Sequence, residues 1–182
     1  MSVFYLKTLK HQRDDAVSFI EQFTTLIDYI DDETLSFELE GDLRVQLYLN
    51  FESFQADLGR IMTIVEGFSR EDLMLEALHI AQTYRSGKVM DLADCVWLAM
   101  VLDEQSFLSK LKQFMNTIPS ELMKTADMYI LTQGNAVLAA QELYLHRNTF
   151  NYRLQKFFDF TKLDLRDRNQ ELFYKLARRH LD

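Results

Sequence analysis

The sequence predicts a mostly α fold: a small α/β N-terminal part, a β-hairpin plus helices, followed by an all-α domain built on a helix-turn-helix. Three observations predict it. Apolar residues recur at three- and four-residue spacing over most of the chain. One proline and five glycines are too few for a loop-rich all-β protein. The last third carries two short helical patterns joined by a tight turn. At 182 residues and 48% apolar, the chain supplies core for one large domain or two small ones.

In chain order, Val17, Phe19, Ile20, Phe23, Leu26, Ile27 and Ile30 predict a helix over about Arg13 to Tyr29, closed by Asp31-Asp32-Glu33. Two strand-like runs follow, Thr34 to Leu39 and Leu43 to Asn50. The second alternates Leu43, Val45, Leu47 and Leu49 against Arg44, Gln46 and Tyr48, and Gly41 between them suggests a hairpin. Helical spacing returns with Phe54, Leu58, Ile61, Met62 and Val65. Ser69-Arg70-Glu71-Asp72 is close to a capping box opening a helix to about Tyr84. Ser86-Gly87-Lys88 breaks it. Asp91 to Val101 reads as a helix burying Leu92, Val96, Trp97 and Met100, and Phe107 to Met115 as a shorter one. Pro119 fits a helix start, which places a domain boundary between 1–118 and 119–182.

From Ser120 the pattern sharpens. Glu121 to Leu131 forms a helix with Leu122, Ala126, Tyr129 and Ile130 on its apolar side. Gly134 suits a left-handed position after it, and Asn135 suits the N-cap of the next helix, Ala136 to Leu143. Ala139 and Ala140 permit a close helix crossing. Tyr144-Leu145-His146 is the turn, and Arg147 to about Phe158 is the second helix of the pair. Phe150, Leu154 and Phe157 or Phe158 fall on its inner side; Asn148, Asn151, Tyr152 and Gln155 fall largely on the outer side.

The net charge of −8 is unevenly distributed. Residues 120–182 hold ten Lys/Arg against eight Asp/Glu, leaving ten against twenty for the first 119. Tyr144 to Phe158 contains Arg147, Arg153 and Lys156 and no acid. Phosphate attraction follows the local field rather than the whole-chain charge. Long amides on an acid-free helix face can pair with adenine, and arginine with guanine or phosphate.

Gly134-Asn135, Ala139-Ala140, Leu143, His146-Arg147-Asn148-Thr149, Tyr152-Arg153-Leu154 and Leu163-Asp164-Leu165 resemble the C-terminal helix-turn-helix of PucR-like regulators, the purine-catabolism and sugar-diacid transcription factors. The resemblance covers about 60 residues, the helix-turn-helix domain at the end of the chain. It implies a sequence-specific transcriptional regulator that binds double-stranded DNA as an oligomer; because one helix-turn-helix reads few base pairs, a homodimer is expected. The helix opening at His146 would read the major groove. Arg147, Asn148 and Thr149 would approach DNA at its N-terminal end, and Arg153 would contact phosphate or brace the fold. The predicted DNA-binding set is His146, Arg147, Asn148, Thr149, Asn151, Tyr152, Arg153, Gln155 and Lys156. Asn151 stands where a basic residue is common in the family, Lys162 where glycine is common, and Val137 and Leu138 where small polar residues are usual. The N-terminal part is similar, mostly by position, to the degenerate GGDEF-like region that precedes this domain in the family. It would serve regulation or dimerisation, with a small-molecule effector of unknown identity.

Catalysis finds no support in the residues. The cyclase signature is absent; Phe37 to Asp42 holds acids and a glycine in another order. His11, His79, His146 and His180 are too scattered for metal ligation, and no phosphate loop, G-x-S-x-G or H-E-x-x-H occurs. Asp91 with Asp94, and Asp31 with Asp32, read as helix caps and solvated ends. Cys95, the single cysteine, sits in an apolar run and reads as core. No enzyme, cofactor or metal is expected. No apolar run approaches the roughly 20 residues of a membrane span, and no secretory leader opens the chain, so the expected location is cytoplasmic. The alternative to a regulator is a non-enzymatic protein-interaction module that keeps the fold without operator binding.

Overall fold

The computed structural model describes residues 2–58 and 62–181, with two compact units, 1–107 and 108–182. The first is a five-stranded sheet with helices on both faces. Its elements are β1 (Ser2–Lys7), a 3-10 turn (Lys10–Gln12), α1 (Arg13–Ile20), β2 (Ile27–Tyr29), β3 (Thr34–Leu39), α2 (Gly41–Leu58), β4 (Thr63–Gly67), α3 (Glu71–Arg85), β5 (Val89–Asp91) and α4 (Leu92–Leu102). The strand order is β2-β3-β1-β4-β5, antiparallel except for the parallel β4–β5 pair. On one face Phe4, Leu6, Leu35, Phe37 and Ile64 meet Phe19 and Ile20 of α1 and Leu47 and Phe51 of α2. Phe4 stacks on Phe37 at 5.3 Å, and Phe19 on Phe54 at 4.0 Å. Aromatic packing of this kind adds to the area term that holds a sheet against its helices. On the other face α3 packs on β4 and β1. Met74 lies so close over Gly67 that a Cβ there would collide with its sulfur.

The structure corrects several sequence expectations. The predicted long first helix ends at Ile20; residues 27–29 are an edge strand instead, where β-branched Thr24 and Thr25 precede it and Thr24 Oγ1 accepts the Leu26 N–H at 3.1 Å. A hairpin exists, but between β2 and β3, around Asp31, whose carboxylate accepts the Glu33 N–H at 2.7 Å. The second predicted strand is helical. Of the alternating Leu43, Val45, Leu47 and Leu49, only Leu47 is buried; the inward set Arg44, Leu47, Phe51, Phe54 and Gln55 follows three- and four-residue spacing. Met62 and Val65 belong to β4 and its approach rather than a helix. Ile61 and the side chain of Leu58 lie outside the described residues. β1, β4 and β5 are strands that the periodicity did not reveal.

The later helices match more closely. The α3 N-cap is Arg70, without a side-chain cap, so Ser69 does not form a capping box. Asp91 does cap α4, its Oδ1 accepting the Asp94 N–H at 2.9 Å. Leu92, Val96 and Cys95 are buried as expected, whereas Trp97 and Met100 are exposed. Among the described residues no helix is long and apolar enough to cross a membrane.

Candidate nucleic-acid interface

The C-terminal unit is helical: α5 (Gln105–Thr117), which begins at the end of the first unit, then α6 (Ser120–Leu131), α7 (Ala136–Glu142), α8 (Arg147–Thr161) and α9 (Arg168–Leu181). Pro119 stands at the N-cap of α6, where its missing N–H costs nothing. Gly134 takes φ +81°, and its N–H donates to the Tyr129 carbonyl at 2.8 Å, closing α6. Asn135 then opens α7, its side chain accepting the Leu138 N–H at 3.1 Å. Ala139 and Ala140 are fully buried against Phe150 of α8, with Met128, Tyr129 and Leu154 around them. Small side chains let α7 and α8 cross at close range, which fixes how α8 presents its outer face.

The turn between α7 and α8 is Leu143 to His146. Tyr144 adopts φ +55° there and is 97% exposed. His146 is the N-cap of α8: its Nδ1 accepts the Asn148 N–H at 3.2 Å. Arg147, Asn148, Thr149 and Asn151 are exposed and make no side-chain hydrogen bond or ion pair among the described residues. Tyr152 is exposed, with the Lys156 ammonium 4.7 Å from its ring centroid. The Lys156 pKa is raised by its contact with Tyr152. Phe150 and Phe157 are buried and Leu154 half-buried, as the face assignment requires, while Phe158 is exposed.

Two further residues of the predicted set make contacts inside the domain. Arg153 Nη2 lies 3.5 Å from Glu121 Oε2 of α6, and Gln155 Nε2 donates to Asp159 Oδ1 at 2.9 Å. The second contact brings in an acid outside the predicted set. Asp159 is one turn after Gln155 and shares its exposed face, so the acid-free stretch ends in a carboxylate on that same face. Helical spacing alone was sufficient to find it.

The rest of the unit holds α8 from behind. Phe157 meets Tyr174 of α9 edge-on at 5.5 Å, and the Tyr174 hydroxyl donates to Asp127 Oδ1 at 2.8 Å. Burial and then the Asp127 charge push the Tyr174 phenol up, so it stays a donor. Arg178 Nη2 completes the group, 3.2 Å from Asp127 Oδ2. Lys162 terminates α8 at φ +63°, the position where the family resemblance expects glycine. Val137 and Leu138, the other departures, are exposed on α7.

Residues 122–179 match the PucR C-terminal helix-turn-helix domain. The chain is 36% identical over 64 residues to the proline-responsive transcriptional activator PutR of Bacillus subtilis, covering 35% of this chain and 16% of that protein. It is 32% identical over 77 residues to the DNA-binding transcriptional activator AdeR of the same organism, covering 41% of this chain and 18% of that one. Similarity also reaches a leucine-rich protein of Streptococcus dysgalactiae subsp. equisimilis, 31% identical over 132 residues, or 70% of this chain and 45% of that protein. A match of that length extends beyond the helix-turn-helix into the first unit. The chain thus spans less than half the length of each of these relatives.

Proposed function

Residues 122–179 belong to the PucR C-terminal helix-turn-helix domain family, and from that premise we propose that the chain is a transcriptional regulator that reads double-stranded DNA with α8. The observation that carries this is the outer face of that helix: Arg147, Asn148, Thr149 and Asn151 at its N-terminal end are solvent-exposed and uncommitted among the described residues. Amide and guanidinium groups held this way on a rigid helix can meet base edges without first breaking an internal contact. Tyr152, Gln155 and Lys156 continue the face, and His146 sets the helix start. Arg153 braces α6 and reaches phosphate only by exchanging Glu121 for it.

The functional division lies at Pro119, with residues 1–118 serving regulation or dimerisation as a degenerate GGDEF-like domain and 119–182 contacting DNA. The antiparallel β3-β1-β4 sheet core with helices on both faces supports the first part of that reading. A single helix-turn-helix reads few base pairs, so a homodimer spanning half-sites about 34 Å apart is expected. The relatives PutR and AdeR are named as transcriptional activators, which supports a regulatory role.

Salt titration tests the reading. If about six phosphates are neutralised, affinity for duplex DNA falls on the order of 10³-fold between 50 and 200 mM salt. A folded, oligomeric protein without salt-dependent binding would instead support an interaction module, a role that the acidic first 119 residues and Asp159 on the outer face of α8 would suit.

A further inference from the structure

The first unit carries a recess of about 250 Å3 between the end of α3, the edge strand β5 and α4. Met90 and Leu98 give it apolar lining, Trp97 flanks it, and Arg85, Lys88 and Asp94 bring charge to it. Three features separate it from an ordinary surface dent. Trp97, the chain's single tryptophan, is 54% exposed on a helix whose other large side chains include buried Leu92 and Val96. Arg85 and Asp94 line the same recess, yet neither forms an ion pair or a side-chain hydrogen bond with the other or with any described residue. Lys88 is held 3.0 Å from Glu52, so it adds positive potential without being fully available.

An exposed indole offers a flat apolar face; unpaired opposite charges beside it match a ligand with both signs. We propose that this recess binds a small zwitterion bearing a flat ring, the chemistry of an aromatic amino acid. Its carboxylate is taken by Arg85, its ammonium by Asp94, and its ring lies on Trp97 over Met90 and Leu98. Such sites are concave and mainly apolar, with a few placed polar groups that fix orientation.

The sole tryptophan makes the test direct. Titrating the intact chain, without DNA, with L-phenylalanine is expected to give a saturable change in Trp97 fluorescence. Phenethylamine, which lacks the carboxylate, and 3-phenylpropionate, which lacks the ammonium, are expected to bind roughly tenfold more weakly or worse. Arg85→Ala should weaken L-phenylalanine by a similar factor and leave phenethylamine unchanged; Asp94→Asn should do the converse with 3-phenylpropionate. Circular dichroism checks that both variants fold. No saturable change through the millimolar range overturns the proposal, as does equal affinity of Arg85→Ala for L-phenylalanine. A Trp97 signal that depends on protein concentration without ligand also overturns it, by making the recess an interface between copies. None of these outcomes bears on DNA binding by α8.

Discussion

On the proposed reading of α8, Asn148 is the side chain that would separate base reading from mere phosphate contact. It is exposed at the start of α8, and its own N–H is already committed to the His146 cap, so the backbone holds the amide in place. Asn148→Ala is expected to lower specific affinity by about 1–3 kcal/mol and to relax base preference, read by competition between cognate and random duplexes. Equal losses on both would remove it from base reading. Two other positions test the backbone that presents α8. Gly134 and Lys162 both hold positive φ, at +81° and +63°. Gly134→Ala should cost about 1 kcal/mol in chemical denaturation, and Lys162→Gly should gain a similar amount by removing left-handed strain from a side-chain-bearing residue. Asp91 gives a pH prediction. Burial pushes its carboxyl above the ordinary range, the Asp94 N–H opposes that, and the neighbouring Asp94 and Glu66 charges add to it. The folded chain therefore holds this proton more tightly than the unfolded chain. Stability then falls as pH rises from the ordinary carboxylate range through the raised value. Asp91→Asn keeps a good N-cap and should flatten that slope in pH-dependent thermal melts.

At the scale of elements, α8 carries opposing features on one face. On the proposed reading, Asp159 would repel phosphate on the exposed face it shares with Gln155, which it engages at 2.9 Å. Asp159→Asn is expected to strengthen binding to any duplex several-fold at low salt, with little change in sequence preference. An unchanged affinity would place DNA only at the N-terminal turn of the helix. The C-terminal elements were legible in the sequence because each was marked by local chemistry: Pro119, Gly134, Asn135 and the buried Ala139-Ala140 pair each specify a cap or a close crossing in a few residues. The sheet was not legible for the opposite reason. β1 and β4 are central strands covered on both faces, so Phe4, Tyr5 and Leu6, like Ile64 and Val65, are all buried and show no alternation. β2 and β5 have only three residues each. In α2 the alternating leucines mimic a strand because Leu43, Val45 and Leu49 are apolar yet exposed. The outer face of α8 is legible as far as Lys156; Asp159 lies beyond the acid-free run, and only helical spacing from Gln155 puts it on that face.

For the whole molecule, the charge division and the domain order describe one arrangement: an acidic N-terminal region joined to a domain whose few cations cluster on α8 and along α9. The overall charge of −8 opposes unspecific attraction to DNA, so the proposed recognition would depend on the correct docking of α8 rather than on a general field. Base reading by a dimer is therefore the property on which the proposed regulator rests. The most direct measurement is selection of bound sequences from a random double-stranded DNA pool by the intact chain at low salt. The expected result is recovery of a motif with two paired half-sites, lost when Arg147 and Asn148 are both replaced by alanine. Enrichment of no motif by a folded protein, or a motif that survives the double replacement, would contradict it.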